Sequence, residues 1–240
     1  MNRFSNAYIP PLRYRWLTRF YDPVVRLTTR ENVFKVALVQ QAGIQDSQRI
    51  LDLGCGTATL ALMVKRWHPP TEVFGVDADL DALELARYKA QGEGLRIELD
   101  QGFASDLPYP DASFDRVLSS LFFHHLTDKL KDEAMLEVRR VLRPGGEFHI
   151  ADWGKPTSSF MRFAFLAVQL LDGFATTRDS VKGVLPDLLS LAGFQGVEIT
   201  NSYSTPFGTL ALYRARKPAL EEGDAPIAHQ SREPGVDDAS

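Results

Sequence analysis

Short apolar runs alternate with stretches of helical periodicity through the middle of the chain, from about residue 48 to residue 152. Short apolar runs between turn residues indicate buried strands, whereas apolar positions three or four residues apart indicate helices. The predicted strands are Arg49–Leu53, Glu72–Asp77, Leu95–Leu99, Phe114–Ser120 and Glu147–Ala151. The predicted helices are Thr57–Trp67, a helix capped by Asp79 and ended by Gly92 and Gly94, and Asp128–Leu142, which Pro144-Gly145-Gly146 ends. Strands separated by helices form βαβ units, so the pattern predicts an α/β fold with a parallel sheet.

The pattern changes after residue 152. Ser158–Leu171 is apolar with helical spacing, and Pro186–Ala192 predicts a further short helix. Two strands, Gly196–Asn201 and Phe207–Arg214, then follow with few residues between them. Because a parallel return needs a long crossover, this short connection predicts an antiparallel hairpin that closes the sheet.

Composition divides the chain into three regions. Residues 1–46 carry an aromatic and basic series and a predicted helix at Val33–Gln41, and we interpret them as an N-terminal helical extension or lid. Residues 47–216 hold the α/β domain. Residues 217–240 contain two basic and six acidic residues, which account for the whole net charge of −4. Rich in Pro, Gly and Ala with little to bury, they predict a disordered acidic tail.

The overall composition excludes several classes of protein. A chain of 240 residues with 44% hydrophobic and 24% charged residues is typical of a globular protein with a sizeable core. Cys55 is the single cysteine, which excludes an intramolecular disulfide and suits a reducing compartment. We find neither a signal peptide nor a membrane-length apolar run, so a cytoplasmic location is expected. Outside the tail the charges balance, which gives no argument for nucleic-acid binding.

The richest motif is Ile50–Thr59, where an apolar strand turns into a helix through Gly54, Cys55 and Gly56. Glycine-rich turns allow a ligand to approach the backbone, and their N–H groups favour a partly anionic, nucleotide-like cofactor. Asp77 ends the next strand and is placed to accept hydrogen bonds from ribose hydroxyls. Asp52, just before the glycines, would repel a pyrophosphate but would favour the sulfonium and ammonium of S-adenosylmethionine. This charge argument favours S-adenosylmethionine over a dinucleotide.

Further candidate residues follow the later strands. Gln101-Gly102-Phe103-Ala104 comes after the third strand, and Ser119-Ser120 ends the fourth strand shortly before His124-His125. In open α/β sheets ligands bind at the carboxyl ends of the strands, so these segments are expected to border the same cleft.

Four segments together resemble the class I S-adenosylmethionine-dependent methyltransferases, in the broad group that includes the ubiquinone and menaquinone methyltransferases. They are Leu-Asp-Leu-Gly-Cys-Gly-Thr-Ala-Thr, Val-Phe-Gly-Val-Asp-Ala-Asp, Leu-Pro-Tyr-Pro-Asp-Ala-Ser-Phe-Asp-Arg-Val and Val-Leu-Arg-Pro-Gly-Gly-Glu-Phe. The resemblance implies a three-layer Rossmann-like sandwich around a seven-stranded, mostly parallel sheet with an antiparallel last strand. It also implies S-adenosyl-L-methionine as cofactor and a small-molecule methyl acceptor, which the apolar segments predict to be partly hydrophobic.

The resemblance assigns cofactor roles to particular positions. The backbone of Gly54, Cys55 and Gly56 would lie against methionine and ribose, and Asp77 would hold the ribose hydroxyls. Ala78 and the Phe103-Ala104 pair would contact the adenine. Ser120, or the backbone of Ser119, would contact the amino-acid part of the cofactor. Tyr14 or Tyr21 is a candidate to close over the cofactor. The chain departs from the family pattern at Ala58, where a glycine is frequent, and at Phe103, where an acid is usual.

Several residues have a second interpretation. Cys55 between two glycines is expected to be a small backbone-placed residue rather than a nucleophile. The pair His124-His125 is interpreted as a general base near the acceptor or as packed histidines. A metal site is disfavoured because adjacent side chains on a turn should diverge and no third ligand is apparent. Ser158–Leu171 is interpreted as either a substrate lid or a packed helix.

Two other functions stay open from the sequence alone. A nicotinamide-dependent oxidoreductase is disfavoured by Asp52, by the missing third glycine and by the terminal hairpin. A non-catalytic methyltransferase-like binding protein is kept open by Phe103, because the usual adenine-binding acid is absent there.

Overall fold

The sheet has seven strands, as expected from the sequence. The computed structural model describes residues 31–155, 183–206 and 208–219. The strands are β1 (Arg49–Leu53), β2 (Glu72–Asp77), β3 (Glu98–Gln101), β4 (Phe114–Ser120), β5 (Leu142–Trp153), β6 (Gln195–Thr205) and β7 (Gly208–Arg216). The predicted bounds of β1, β2 and β4 are confirmed, whereas β3 begins three residues later than predicted.

The spatial order of the strands is β3-β2-β1-β4-β5-β7-β6. The first five strands are parallel, and β7 runs antiparallel between β5 and β6. The chain order reverses between β1 and β4, which creates a crevice above their carboxyl ends. The cleft is therefore bordered by the residues that follow β1, β2 and β4.

The described helices are α1 (Glu31–Gln41), α2 (Thr59–Trp67), α3 (Leu80–Glu93), α4 (Asp128–Val141) and α5 (Leu185–Leu191), with a 3₁₀ turn at Phe123–His125. The Asp79 side chain caps α3 by accepting the N–H groups of Asp81 and Ala82, as predicted. Gly94 ends α3 in a left-handed conformation, whereas Gly92 lies inside the helix. The Pro144-Gly145-Gly146 segment lies within β5, because α4 has already ended at Val141.

Two apolar clusters form the core, one on each face of the sheet. The first contains Phe34, Leu38 and Val64 from α1 and α2, and the second contains Met135 and Leu189 from α4 and α5. The three-layer sandwich is thereby confirmed. The helix predicted within the N-terminal extension is part of this core, because α1 packs against the first face.

The end of α1 is fixed by one side chain. The Gln41 amide nitrogen lies 3.0 Å from Nδ1 of His149 and donates to the carbonyl oxygen of Tyr213 at 3.0 Å. The same side chain accepts a hydrogen bond from Thr200. No helix among residues 31–155, 183–206 and 208–219 is long and apolar enough to cross a membrane. Ser158–Leu171, Tyr14, Tyr21 and most of the predicted acidic tail lie outside the described residues.

Candidate cofactor and acceptor site

The glycine loop connects β1 to α2 through three residues with left-handed backbones. Their φ angles are 68° at Gly54, 51° at Gly56 and 58° at Ala58. Ala58 is fully buried and stands at the N-cap of α2 without a capping side chain. An alanine in this conformation costs about 1 kcal/mol, so the departure from the family glycine is accommodated with strain.

The N–H groups of the loop are already used within the protein. Gly54 and Cys55 both donate to the carbonyl oxygen of Val76, at 2.9 and 3.0 Å, and Gly56 donates to Oδ2 of Asp77 at 2.8 Å. The expectation that these donors attract a partly anionic ligand is therefore wrong for the three central residues, because β2 takes them. The loop instead provides close backbone approach.

The two glycines face different surroundings. A Cβ added to Gly54 would lie 2.2 Å from Cδ2 of Phe122, so the aromatic ring lies directly against this glycine. A Cβ added to Gly56 would meet no atom within 4 Å, so Gly56 opens onto the cleft. Gly54 is thus required by protein packing, and Gly56 leaves room where a ligand would approach.

Asp77 lies at the carboxyl end of β2 with both carboxylate oxygens oriented by backbone donors. Oδ2 accepts the Gly56 N–H, and Oδ1 accepts the Asp79 N–H at 2.9 Å. Burial raises the pKa of Asp77, and these two hydrogen bonds oppose that rise. Each carboxylate oxygen has a second acceptor site, which leaves capacity for ribose hydroxyls. The neighbouring Ala78 carbonyl accepts the Gln101 amide at 3.2 Å.

Asp52 lies beneath the loop, and its side chain is directed to α2. It is only 2% exposed, and its Oδ2 accepts the Ala61 N–H at 3.0 Å, which caps the N-terminus of α2. Burial raises its pKa to about 7, and the nearby Lys35 opposes this rise. The acid is therefore close to the loop but has a structural partner that the sequence did not predict.

The remaining loop and β4 side chains divide into packed and available groups. The Cys55 thiol is buried, and burial raises its pKa well above the ordinary value, in agreement with a structural residue. The Ser119 hydroxyl is fully buried and donates to the Leu53 carbonyl at 3.0 Å. The Ser120 hydroxyl, by contrast, is buried without a hydrogen-bond partner among the described residues. The Ser120 hydroxyl therefore keeps its capacity to donate and accept a hydrogen bond at the end of β4.

Phe103 and Ala104 follow β3 in a tight turn. The Asp106 N–H donates to the Phe103 carbonyl at 3.0 Å, and Ala104 packs on the second core cluster. Phe103 itself is 39% exposed. It borders the same strand ends as Asp77, since β3 and β2 are neighbours.

The histidine pair lies in the 3₁₀ turn that follows β4. Nδ1 of His124 lies 2.7 Å from Oδ1 of Asp152, and both side chains are buried. The rings of His124 and His125 have centroids 3.9 Å apart. The prediction that these side chains diverge is therefore wrong, because the tight turn brings consecutive rings together. No group of three metal-ligating side chains exists in the described part of the chain.

Asp152 organises this turn. It accepts the N–H groups of Phe123, His124 and Trp153 at 2.7, 3.3 and 2.7 Å. Burial alone would raise its pKa, but the His124 charge, the hydrogen bond to the His124 ring and the Trp153 N–H hold the pKa below its ordinary value. Burial and the adjacent His124 hold the pKa of His125 well below its usual range, so His125 is neutral at neutral pH.

One cavity borders the histidine turn, and a second lies beside the β6–β7 hairpin. A small one of about 10 Å³ is lined by His124, Lys131, Asp152 and Tyr213 among others. A larger one of about 320 Å³ lies beside the β6–β7 hairpin and is lined by Lys155, Ser202, Thr209 and Tyr213 together with apolar groups. Tyr213 borders both cavities, which places them next to each other.

Sequence reasoning missed two residues of the site, Phe122 and Asp152. Asp152 carries the same signal as Asp77, since both are acids near the carboxyl end of a parallel strand. Phe122 carries no local signal, because only the pairing of β1 with β4 brings it over the loop.

A family model described as a methyltransferase domain matches residues 50–146. A ubiquinone/menaquinone biosynthesis C-methyltransferase from Pseudomonas entomophila is 30% identical over 207 residues, covering 78% of this chain and 79% of that protein. A demethylmenaquinone methyltransferase from Deinococcus radiodurans is 35% identical over 129 residues, covering 54% of this chain. The match spans about half of that relative, 53% of its length.

The fold is also found among solved structures. A structure of an S-adenosylmethionine-dependent methyltransferase from Methanosarcina mazei superposes with a TM-score of 0.60 at 22% identity. The superposition covers 74% of this chain and 95% of that one. The sheet and its flanking helices are therefore a recurrent architecture.

Proposed function

Because this chain belongs to the class I S-adenosylmethionine-dependent methyltransferases, we propose that it transfers a methyl group to N, O or C of a small, partly apolar acceptor. The observation that carries the proposal is the opening at Gly56, beside the oriented carboxylate of Asp77. The unpartnered Ser120 hydroxyl lies at a neighbouring strand end of the same crevice. Together these groups fit a cofactor that has a ribose and a polar amino-acid arm.

Different residues of the loop and of the strand ends would bind different parts of the cofactor. Asp77 would accept the ribose hydroxyls, with Ala78, Phe103 and Ala104 at the adenine end. Gly56 would give backbone approach, while Gly54 would hold the loop against Phe122. Ser120 or the Ser119 backbone would contact the amino-acid arm. Cys55 and Asp52 would support the conformation of the loop, because both residues are buried.

The cofactor supplies an activated methyl group when bound, so the protein needs chiefly to orient the acceptor and exclude water. The 3₁₀ turn is suited to orient an acceptor, since Asp152 fixes three of its backbone and side-chain groups to the end of β5. A proton must leave an acceptor hydroxyl or ring carbon during such a transfer. We assign that proton to His125, whose ring lies beside that of His124, which Asp152 holds in place.

For the acceptor, we propose a small aromatic or quinone-type ring that carries hydroxyl groups. The curated relatives are named for demethylmenaquinone and for ubiquinone and menaquinone biosynthesis. The 320 Å³ cavity has hydroxyls from Ser202, Thr209 and Tyr213 next to apolar groups, which suits a ring with polar substituents.

Calorimetry with the purified chain tests the cofactor. S-adenosylhomocysteine is expected to bind, NAD is not, and Asp77→Asn is expected to weaken binding about tenfold or more, since charge-assisted hydrogen bonds contribute about 1.5–3 kcal/mol. Asp81→Asn, at an exposed acid in the first turn of α3, is the matched control and should leave the affinity unchanged. Binding of NAD in place of S-adenosylhomocysteine would favour the oxidoreductase alternative.

Turnover tests the acceptor. The chain would be incubated with methyl-labelled S-adenosylmethionine and a panel of hydroquinones, phenols and alkylamines, and labelled products would be separated by mass. Labelling of the hydroxylated rings is expected. Tight cofactor binding with no labelled product from any class would support a non-catalytic binding protein.

A further inference from the structure

The crevice above the glycine loop has an aromatic wall. The Phe122 ring lies against Gly54, where an added Cβ would come within 2.2, 2.4 and 2.9 Å of three ring carbons. Phe122 is half-buried, so the ring is only partly covered by the protein. It therefore packs on the loop and keeps part of its surface accessible.

The position of this ring is fixed on both sides. Leu121 has a left-handed backbone with φ 54°, and its N–H donates to the Ala151 carbonyl at 2.8 Å. Asp152 accepts the N–H groups of Phe123 and His124, and the Phe122 ring makes an edge contact with buried Phe123 at 5.6 Å between centroids. A left-handed leucine is unusual and indicates that the surroundings determine this conformation.

The strand order gives the path of a bound cofactor across the crevice. A ribose held at Asp77 would lie at the end of β2, and the histidine pair that is proposed to act on the acceptor follows β4. β1 lies between these two strands. The methyl-donor centre, which joins the ribose side to the acceptor side, therefore crosses the end of β1, where Gly54 and Phe122 are in contact.

That centre carries a positive charge in S-adenosylmethionine and no charge in the product S-adenosylhomocysteine. The face of an aromatic ring attracts a cation and has no such preference for a neutral thioether. The Asp77 carboxyl group, whose oxygens accept two backbone N–H groups, lies beside the same loop and adds to this preference. The ring at Gly54 can thus distinguish the donor from its product.

We propose that Phe122 is a positioning residue whose ring contacts the cationic donor centre and makes the site prefer S-adenosylmethionine to S-adenosylhomocysteine. This inference rests on the proposed function. Its consequence is that methyl transfer weakens the hold on the cofactor, since the charge that the ring attracts disappears in the reaction. Phe122 would therefore speed product release as well as orient the donor.

Calorimetric affinities of three ligands test the inference without any acceptor. The ligands are S-adenosylmethionine, sinefungin, which carries an ammonium group beside the position of the sulfonium, and neutral S-adenosylhomocysteine. Phe122→Leu is expected to weaken the two cationic ligands about fivefold more than the neutral one. Phe122→Tyr keeps the ring and is expected to keep the wild-type ratio. Phe103→Leu is the matched control, which should change all three affinities by the same factor.

Each result decides the question. An equal loss for all three ligands in Phe122→Leu, or a changed ratio in Phe103→Leu of the same size, overturns the inference and leaves a simple packing role. If no ligand binds the wild-type chain, the proposed function itself has failed, which is a separate outcome. Thermal unfolding of each variant verifies folding. If the leucine variant is unstable, Phe122→Met, which fills the space without an aromatic ring, gives the same test with the same expected result.

Discussion

Gly54 and Phe122 are in direct contact across the ends of β1 and β4, close enough that a single added methyl group on the glycine would overlap the ring. The contact joins the loop that approaches the cofactor to the turn that carries the histidine pair. A glycine that the sequence assigns to ligand binding therefore also serves the packing of the protein.

Alanine substitutions at the two loop glycines should separate these roles. Gly54→Ala adds an overlap with Phe122 to a left-handed backbone and is expected to cost about 2–4 kcal/mol of unfolding free energy. Gly56→Ala meets no neighbour and should cost about 1–2 kcal/mol. Urea unfolding measures both values, and Phe122→Leu in the Gly54→Ala background should recover part of the loss. Equal costs at the two glycines would contradict the packing role.

The raised pKa of Asp52 predicts that the folded protein becomes less stable as pH rises toward 7. The pKa of Asp52 rises from 3.8 to about 7 on folding, so between those values the native state holds a proton that the unfolded state has lost. The contribution of Asp52 to stability is therefore present at low pH and is lost as pH rises through this window. Asp52→Asn keeps an acceptor for the Ala61 N–H and should be more stable than wild type at pH 8 by about 1–3 kcal/mol.

The measurement compares urea unfolding of Asp52→Asn and wild type at pH 5 and pH 8. The advantage of the variant should grow with pH, while the exposed Asp111→Asn control should run parallel to wild type. A variant that is less stable at pH 8 than at pH 5, relative to wild type, would show that the carboxylate is stabilised by partners.

Asp152 should be the more costly buried acid to replace. Its carboxylate accepts three backbone N–H groups and contacts His124, so an asparagine would set an NH₂ group against donors. Asp152→Asn is expected to lose about 2–4 kcal/mol at pH 7. Because the pKa of Asp152 is lowered in the folded protein, this contribution is lost as pH falls through the folded pKa. The penalty measured at pH 3 should therefore be smaller than at pH 7.

Arg140 holds the loop that follows β3. Its guanidinium donates to the carbonyl oxygens of Tyr109 and Leu107 and to the carboxylates of Asp111 and Glu137. Lysine cannot reproduce this fork of donors, so Arg140→Lys should lower stability by about 1–2 kcal/mol. Hydrogen exchange should rise in residues 107–113 and stay unchanged in β1. Unchanged exchange in this loop would show that apolar packing of Leu107 and Tyr109, and not Arg140, holds the loop in place.

His125 is expected to accept the proton from the acceptor. With an acceptor identified, His125→Gln should lower kcat by about 100-fold or more while the affinity for S-adenosylhomocysteine stays the same. Because the pKa of His125 is well below its usual range, wild-type kcat/KM should stay flat from pH 8 down to pH 6.5. A base with an ordinary histidine pKa would lose half its activity near pH 6.5. Such a loss would contradict the role of His125 and would indicate that His124 is the base.

The order of elements and the parallel character of the sheet are local properties, which is why they are readable from the sequence. Hydrophobic periodicity and capping residues such as Asp79 depend on neighbours within a few positions, and they correctly predicted β1, β2 and β4. The acid of Asp77 and the glycines of the loop are recognisable because their chemistry is tied to their place at a strand end.

Tertiary structure alone decided how these parts meet. The insertion of β7 between β5 and β6, the Gly54–Phe122 contact and the capture of the histidine turn by Asp152 all join residues far apart in the chain. It also decided that Asp52 caps α2 and that the N–H groups of the glycine loop donate to acceptors in β2. The physical reason is that each outcome depends on which distant groups compete for the same hydrogen bonds and space, and no local pattern records that competition.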